Sequence, residues 1–478
     1  MCPDRDAFCL KCGVNDGSVT RFMLRFSQMP SARGFAIANI ALFRSGWMKS
    51  TDHSSKSMLS KLSRPGRNCG RQLRNRLSRI TRAGIALAGI ALAVCTLLYV
   101  APRAEAQQPD VSNPQTGLAL QSFEQLASRA QAAMDADRTQ EAIGLYEQAV
   151  ALRPTFSEGW WELGTTFFDE GQIAKAHDAF LHFVSVEHRQ PGPGFGMLGL
   201  TEFELKDYQK AIIAFERGRQ LGLGDNSGFI ERVFYEDGVA YNYLGQPEVA
   251  LARLKYAAEK IASEHHDAPK DAVLANTELV DAFGLAGLHI AKLPTEIPPD
   301  KKEMVREAGN AQALIAMQDQ VTAAEELKQF VALYPSEPGV HYMYAVFLLK
   351  NDRSAAIAEF QREIDIAPKE TPAYIQIALE DLKNGDYQQG LKYAQKAIAL
   401  APGNFIAHVA CGRLWLNLNN TDKALIELRT AVKLSPKSPD AHFALSRALF
   451  RAGNKPEAAK EQAEFERLKA LADAADRE

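Results

Sequence analysis

Two consecutive blocks of thirty-four residues, running from Thr371 to Ser438, can be laid one over the other, and that repetition constrains the fold more than any other feature of the chain. Within them small residues (Ala378 and Gly412, Gly390 and Ala424, Ala397 and Ala431) recur at fixed offsets between larger apolar ones. A proline closes each copy. Pro335, Pro368, Pro402 and Pro436 fall 33, 34 and 34 residues apart. A period near 34 with helical apolar spacing predicts a stack of helix-turn-helix units that grows by adding copies, not by enlarging one core. The expected fold class is all-α, an α-α superhelix of about nine such repeats, preceded by a signal or anchor helix.

The overall charge of −3 hides an asymmetry. Residues 1–106 hold 17 of the 55 Lys and Arg and 5 of the 58 Asp and Glu, which leaves residues 107–478 with a net charge of −15. An acidic repeat region argues against a nucleic-acid backbone as its ligand. Five of the six cysteines also precede residue 107, so the repeats keep only Cys411 and cannot form an internal disulfide.

Residues 1–57 have no convincing period and contain internal methionines, which fits a poorly structured or mis-assigned start. Cys9 and Cys12 form a CxxC, but the second ligand pair of a structural zinc site is missing. From Lys56 to Arg82 nine basic residues occur with no acidic one, followed by the apolar run 83–102 and by Ala104 and Ala106. A basic flank, an apolar helix and an A-x-A together predict an export signal across 58–106. The run is also long enough to span a bilayer, so an uncleaved anchor with membrane contact through 83–102 is the alternative. The expected location is exported and periplasmic, with anchoring in the inner membrane as the variant. Residues 107–117, polar with two prolines, predict a flexible linker.

Repeat positions continue on both sides of the two best copies. Ala130, Ala142, Tyr146, Ala149 and Pro154 mark a first copy, and Trp160, Leu163, Gly164, Phe167, Gly171, Ala176 and Phe180 a stronger second. Gly199 with Phe215 and Gly238 with Leu254 mark the third and fourth. Between His265 and Lys302 the register is lost: a helix is expected over 269–292, followed by a loop whose three prolines forbid helix. The pattern resumes at Met304 and runs to a charged terminal helix suited to capping the stack. The expected organisation is therefore a first array over 118–264, a helical joint with a Pro-rich loop over 265–303, and a second array over 304–478.

These residues resemble the tetratricopeptide repeat, with a large residue at position 4, Leu-Gly at 7 and 8, an aromatic at 11, Ala at 20 and 27, an aromatic at 24 and Pro at 32. Two helices approach closely only where one side chain is Gly or Ala, and a bulky neighbour fills the groove beside the gap. The resemblance implies protein or peptide partners held on the concave surface, which the first helix of each repeat lines at positions 2, 5, 9 and 12. Trp161, Tyr235, Asn242, Tyr342, Ile375, Val409, Arg413, Phe443 and Arg447 fall there, aromatic in the middle and basic towards the end. Aromatics supply contact area and arginines pair carboxylates. The Lys and Asn clamp of chaperone-binding members is absent: Ala127, Gln131, Trp161 and Thr165 stand at its positions.

No phosphate loop, HExxH, GxSxG or Walker segment occurs in the repeats, so neither a catalytic residue nor a cofactor site is expected. His265, His266, Asp267, Asp271 and His289 gather at the joint and define the competing reading, an enzyme or metal-dependent binder. No two of these histidines have the i, i+4 spacing of a helical metal site, which favours a solvated helix start. The expected function is a non-catalytic scaffold on the periplasmic side of the membrane, with a membrane-anchored assembly factor as a further alternative.

Overall fold

A computed structural model describes the chain from residue 114 to residue 475, with side chains from 122 to 471. The expected start, export signal and CxxC lie outside the described residues, as does most of the linker, and the first described helix starts at Pro114, within the stretch expected as linker. The described residues contain twenty α-helices and no strand. They form two compact units, divided between Arg153 and Pro154.

The first unit is a single hairpin of α1 (Pro114–Asp135) and α2 (Thr139–Leu152). Ala130, Ala142 and Ala149 are fully buried, and the Tyr146 hydroxyl donates to Gln131 Oε1 at 3.0 Å.

The second unit begins with three hairpins: α3 (Ser157–Asp169) with α4 (Ile173–Val186), α5 (Gly192–Glu204) with α6 (Tyr208–Gln220), and α7 (Ser227–Tyr243) with α8 (Pro247–Glu264). Short α9 (Pro269–Ala275) and α10 (Thr277–Gly287) follow, then two 3-10 turns at Pro294–Glu296 and Pro299–Lys301. Four more hairpins pair α11 (Lys302–Ala316) with α12 (Gln320–Leu333), α13 (Val340–Leu348) with α14 (Arg353–Ile366), α15 (Pro372–Asn384) with α16 (Tyr387–Leu400), and α17 (Phe405–Asn417) with α18 (Thr421–Leu434). The last is α19 (Pro439–Arg451) with α20 (Lys455–Ala475), and α20 returns to touch α6.

The gap-and-knob pattern is physically present. A Cβ added at Gly164, Gly199, Gly238 or Gly412 would lie 2.7, 2.4, 2.8 or 2.5 Å from Phe180, Phe215, Leu254 or Leu428, each sixteen residues later on the partner helix. Such contacts are closer than van der Waals radii allow, so the glycines fix how tightly each hairpin closes. Helix starts are set by side chains that accept an otherwise orphaned backbone N–H: Asn226 from Phe229, Asp319 from Thr322, Asp352 from Ala355, Asn420 from Lys423 and Ser438 from Ala441.

Position 4 does more than fill a groove. Trp160 Nε1 donates to the Pro154 carbonyl at 2.8 Å, and the Tyr374 hydroxyl to that of Pro368 at 3.1 Å. Nε2 of His341, His408 and His442 meets the carbonyls of Pro335, Pro402 and Pro436 at 3.0, 2.9 and 3.0 Å. On their other side Nδ1 of the three histidines faces Glu359, Glu427 and Glu461 on the following helix, at 2.6, 2.6 and 2.5 Å. Each proline thus stops one helix by lacking an N–H, and its carbonyl anchors the next helix six residues on.

The stretch expected as a joint is not one continuous helix. It breaks at Asn276, whose side chain accepts the Leu279 N–H at 3.1 Å and so starts α10 instead of continuing α9. Helix α10 packs on α8 and on α11, and Leu285 and Leu288 enter the same core as Met304, Val305, Leu327 and Met343. Within this unit the stack therefore runs through residues 265–303 without a gap.

Candidate functional site

Three of the nine concave-face candidates meet at one opening. Phe443 and Arg447 are four residues apart on α19 and share a face of it, with the guanidinium 5.9 Å from the ring centre. Helix α17 packs beside α19 and brings Arg413, Leu416 and Asn417 to the same place. Together with Ala444 and Arg451 they enclose a cleft of about 80 Å³. Arg451 anchors its floor by donating to the Leu416 carbonyl, and Phe443 leans on Phe465 of α20 with ring centres 5.0 Å apart. Three guanidinium groups line the cleft and, among the described residues, no carboxylate does. Arg413 and Arg447 are exposed. Such a cleft can pair a carboxylate while the phenyl ring covers an apolar neighbour.

The other six lie elsewhere. Ile375 and Val409 are only 6% and 5% exposed and belong to the hydrophobic clusters of their repeats. Trp161 is half-buried against Phe180 and Phe183, with ring centres 5.9 and 5.2 Å away. Tyr235 is half-buried on α7, and burial holds its hydroxyl well above the ordinary tyrosine range. Asn242 is buried and gives its amide hydrogens to the carbonyls of Ile290 and Lys292 at 2.8 and 3.3 Å. Tyr342 is buried edge-on to His289, 4.5 Å between ring centres. Asn242 and Tyr342 thus face the loop that follows α10, which occupies space where an open wall was expected.

Near Tyr235 the charge is negative. Glu236 is buried, and burial, reinforced by Glu204 and Glu278, pushes its carboxyl up to about 7 against the pull of Arg232. Burial likewise raises Glu231 to about 7, helped by Glu264, and Asp169 to about 6. A carboxyl raised in the folded state binds a proton that the unfolded chain has already released, so its contribution is fully present below about pH 4.3 and is lost as pH climbs through 7. Glu236→Gln removes that dependence: the variant should melt above the parent at pH 8, by a stability difference on the order of 2 kcal/mol, and lose the advantage at pH 4.5. Melting curves of both proteins across that range check it.

The competing cluster at the joint does not assemble. His265 Nδ1 is bound to the Ile261 carbonyl at 2.9 Å, whereas His289 stands beyond the far end of α10. Among the described residues no group of three His, Cys, Asp or Glu side chains is placed to hold a metal ion. No helix among them is long and apolar enough to cross a membrane.

Hairpins closed by glycine gaps, stacked through proline-anchored first helices, define an α-α solenoid. The tetratricopeptide repeat family model matches residues 128–184, 375–439 and 416–475, and those stretches carry that repeat. It is 22% identical over 280 residues to anaphase-promoting complex subunit 3 of Schizosaccharomyces pombe, an alignment covering 57% of this chain and 40% of that protein. It is 30% identical over 116 residues to the heat-shock protein cognate co-chaperone sgt12 of Aspergillus fumigatus, covering 24% and 33%. The chain thus spans well under half of either relative. Among solved structures it is similar to MamA of Desulfovibrio magneticus, 19% identical, covering 35% of this chain and 96% of that one with a TM-score of 0.32.

Arg451 was missed by the four-position rule because it belongs to the last turn of its helix. The position-4 anchors were visible as His341, His408 and His442 in three copies, each six residues after a proline.

Proposed function

We propose that this chain is a non-catalytic scaffold that binds a protein partner, and that the Arg413, Phe443 and Arg447 cleft receives an acidic segment of it. The convergence of three arginines and one exposed aromatic ring, with no carboxylate among the described residues that line it, carries this reading. The tetratricopeptide repeats matched at 128–184 and 375–475 support the scaffold role, and the basic cleft stands out on a repeat region whose net charge is −15. Opposite charge there would speed encounter and fix the register of a bound segment. Export to the periplasmic side, by cleavage after Ala106 or with residues 83–102 kept as an anchor, belongs to the same proposal and rests on the sequence between Lys56 and Ala106.

The test uses a fluorescent peptide with a free carboxyl terminus and two neighbouring glutamates beside a phenylalanine. Arg413→Ala with Arg447→Ala should weaken its binding by about tenfold or more without lowering helicity, and the parent's affinity should fall with added salt. Equal affinity in parent and double variant would remove the cleft from the proposal. Terminal sequencing of the protein recovered from an envelope fraction checks the location, and a start at Gln107 is the expected result.

A further inference from the structure

We propose that the cavity under the loop following α10 is a binding site for a small uncharged molecule with an apolar body and a single hydrogen-bonding group, such as an aromatic alcohol. It goes beyond the scaffold reading and does not depend on it. The cavity measures about 430 Å³, within the size range of small-molecule sites and far above the voids a packed interior leaves unfilled. Its wall is mainly hydrocarbon: Leu285 from α10, Leu288, Ile290 and Ile297 from the segment after it, Met304 and Val305 from α11.

Most of the charges inside it already have partners. Lys301 Nζ is 2.6 Å from Glu337, and Glu363 accepts the backbone N–H groups of Gly339 and Tyr342 at 2.7 and 3.1 Å. Lys292 and Glu370, opposite in sign and exposed, are left at the mouth. A charged group carried past them into the hydrocarbon interior would leave its counter-ion behind at the mouth, and the desolvation cost disfavours it.

His289 supplies the polar handle. Its ring is half-buried in the wall, edge-on to Tyr342, and neither nitrogen is hydrogen-bonded to a described residue. By contrast, both nitrogens of His341, His408 and His442 are bound. Burial lowers the basicity of His289, which keeps the ring neutral near pH 7 with one donor and one acceptor. A hydroxyl, which both gives and takes a hydrogen bond, matches it. Tyr342, whose hydroxyl accepts from Gln376 Nε2 at 3.4 Å, is part of the same wall.

The probe is 2-naphthol, titrated by its fluorescence against the full chain, with naphthalene and 2-naphthoate as comparators. One saturable site for 2-naphthol is expected, with 2-naphthoate weaker by about tenfold or more. Ile297→Trp fills the cavity and should abolish binding. His289→Phe keeps the ring and removes its nitrogens, so it should cost 2-naphthol about tenfold while naphthalene changes by less than about twofold. Absence of saturable 2-naphthol binding overturns the proposal, as does unchanged affinity in a helical Ile297→Trp variant. Equal losses of naphthol and naphthalene in His289→Phe overturn it as well, and that comparison decides should the tryptophan variant fail to fold.

Discussion

Gly309→Ala is expected to destabilise the protein by about 3 kcal/mol, although alanine is the better helix former by about 1 kcal/mol. Gly309 on α11 and Gly284 on α10 are where the two helices cross backbone to backbone. A Cβ at Gly309 would sit 1.9 Å from the Val280 carbonyl oxygen, and one at Gly284 would sit 1.9 Å from that of Val305. At Gly164 the obstacle is a phenyl ring that can turn, but here it is main chain held in a helix. The only relief is to part α10 from α11, which opens the cluster of Leu285, Val305, Ala308 and Met343 and forfeits its dispersion contacts. Gly144→Ala on α2 is the control: nothing lies within 4 Å of its added Cβ, so it should be neutral or stabilising. Urea or thermal unfolding of the two variants decides between them. Equal stability would mean that α10 and α11 do not cross this closely.

The contrast between Gly164 and Gly309 also shows what the sequence can and cannot carry. Glycine at position 8 with a bulky residue sixteen positions later is a periodic signal, so the Gly164, Gly199, Gly238 and Gly412 gaps are legible from the residues alone. The Gly284 and Gly309 crossing belongs to no repeat and is set by helices separated by a proline-rich loop, so periodicity is silent about it. The break at Asn276 was hidden for a related reason. Apolar spacing runs on through 269–292, and a capping side chain competes with the helix only where the tertiary turn needs it. Among the concave candidates, position along a helix indicates which face a residue occupies but not what covers that face. Arg413, Phe443 and Arg447 lie where no insertion intervenes and remain open. Asn242 and Tyr342 are covered because residues 288–301 fold against them, and Ile375 and Val409 because their own repeats pack over them.

Asp237→Ala is expected to cost about 3–5 kcal/mol, the range for removing one partner of a buried ion pair. The family pattern has leucine at this position, before the glycine at 238. Here a carboxylate with no exposed surface is set between Arg219 of α6 and Arg253 of α8, bonded to the first and with Arg253 Nε at 3.2 Å. Burial pushes its carboxyl up to about 6 while the two guanidinium groups pull it down, which leaves it ionised at pH 7. Removing it strands two cations that are themselves mostly buried, so the loss exceeds that of one hydrogen bond. The arrangement is nevertheless imperfectly satisfied, because Asp237 Oδ1 finds no hydrogen-bond partner among the described residues. That defect predicts a rescue. Asp237→Leu combined with Arg219→Met and Arg253→Met restores the apolar knob, keeps a flexible side chain beside Phe234 and should unfold at or above the parent's midpoint. The single alanine variant should unfold well below it. If the triple variant is as unstable as the alanine variant, the three charges hold α6, α7 and α8 in register in a way that hydrocarbon of similar volume cannot reproduce.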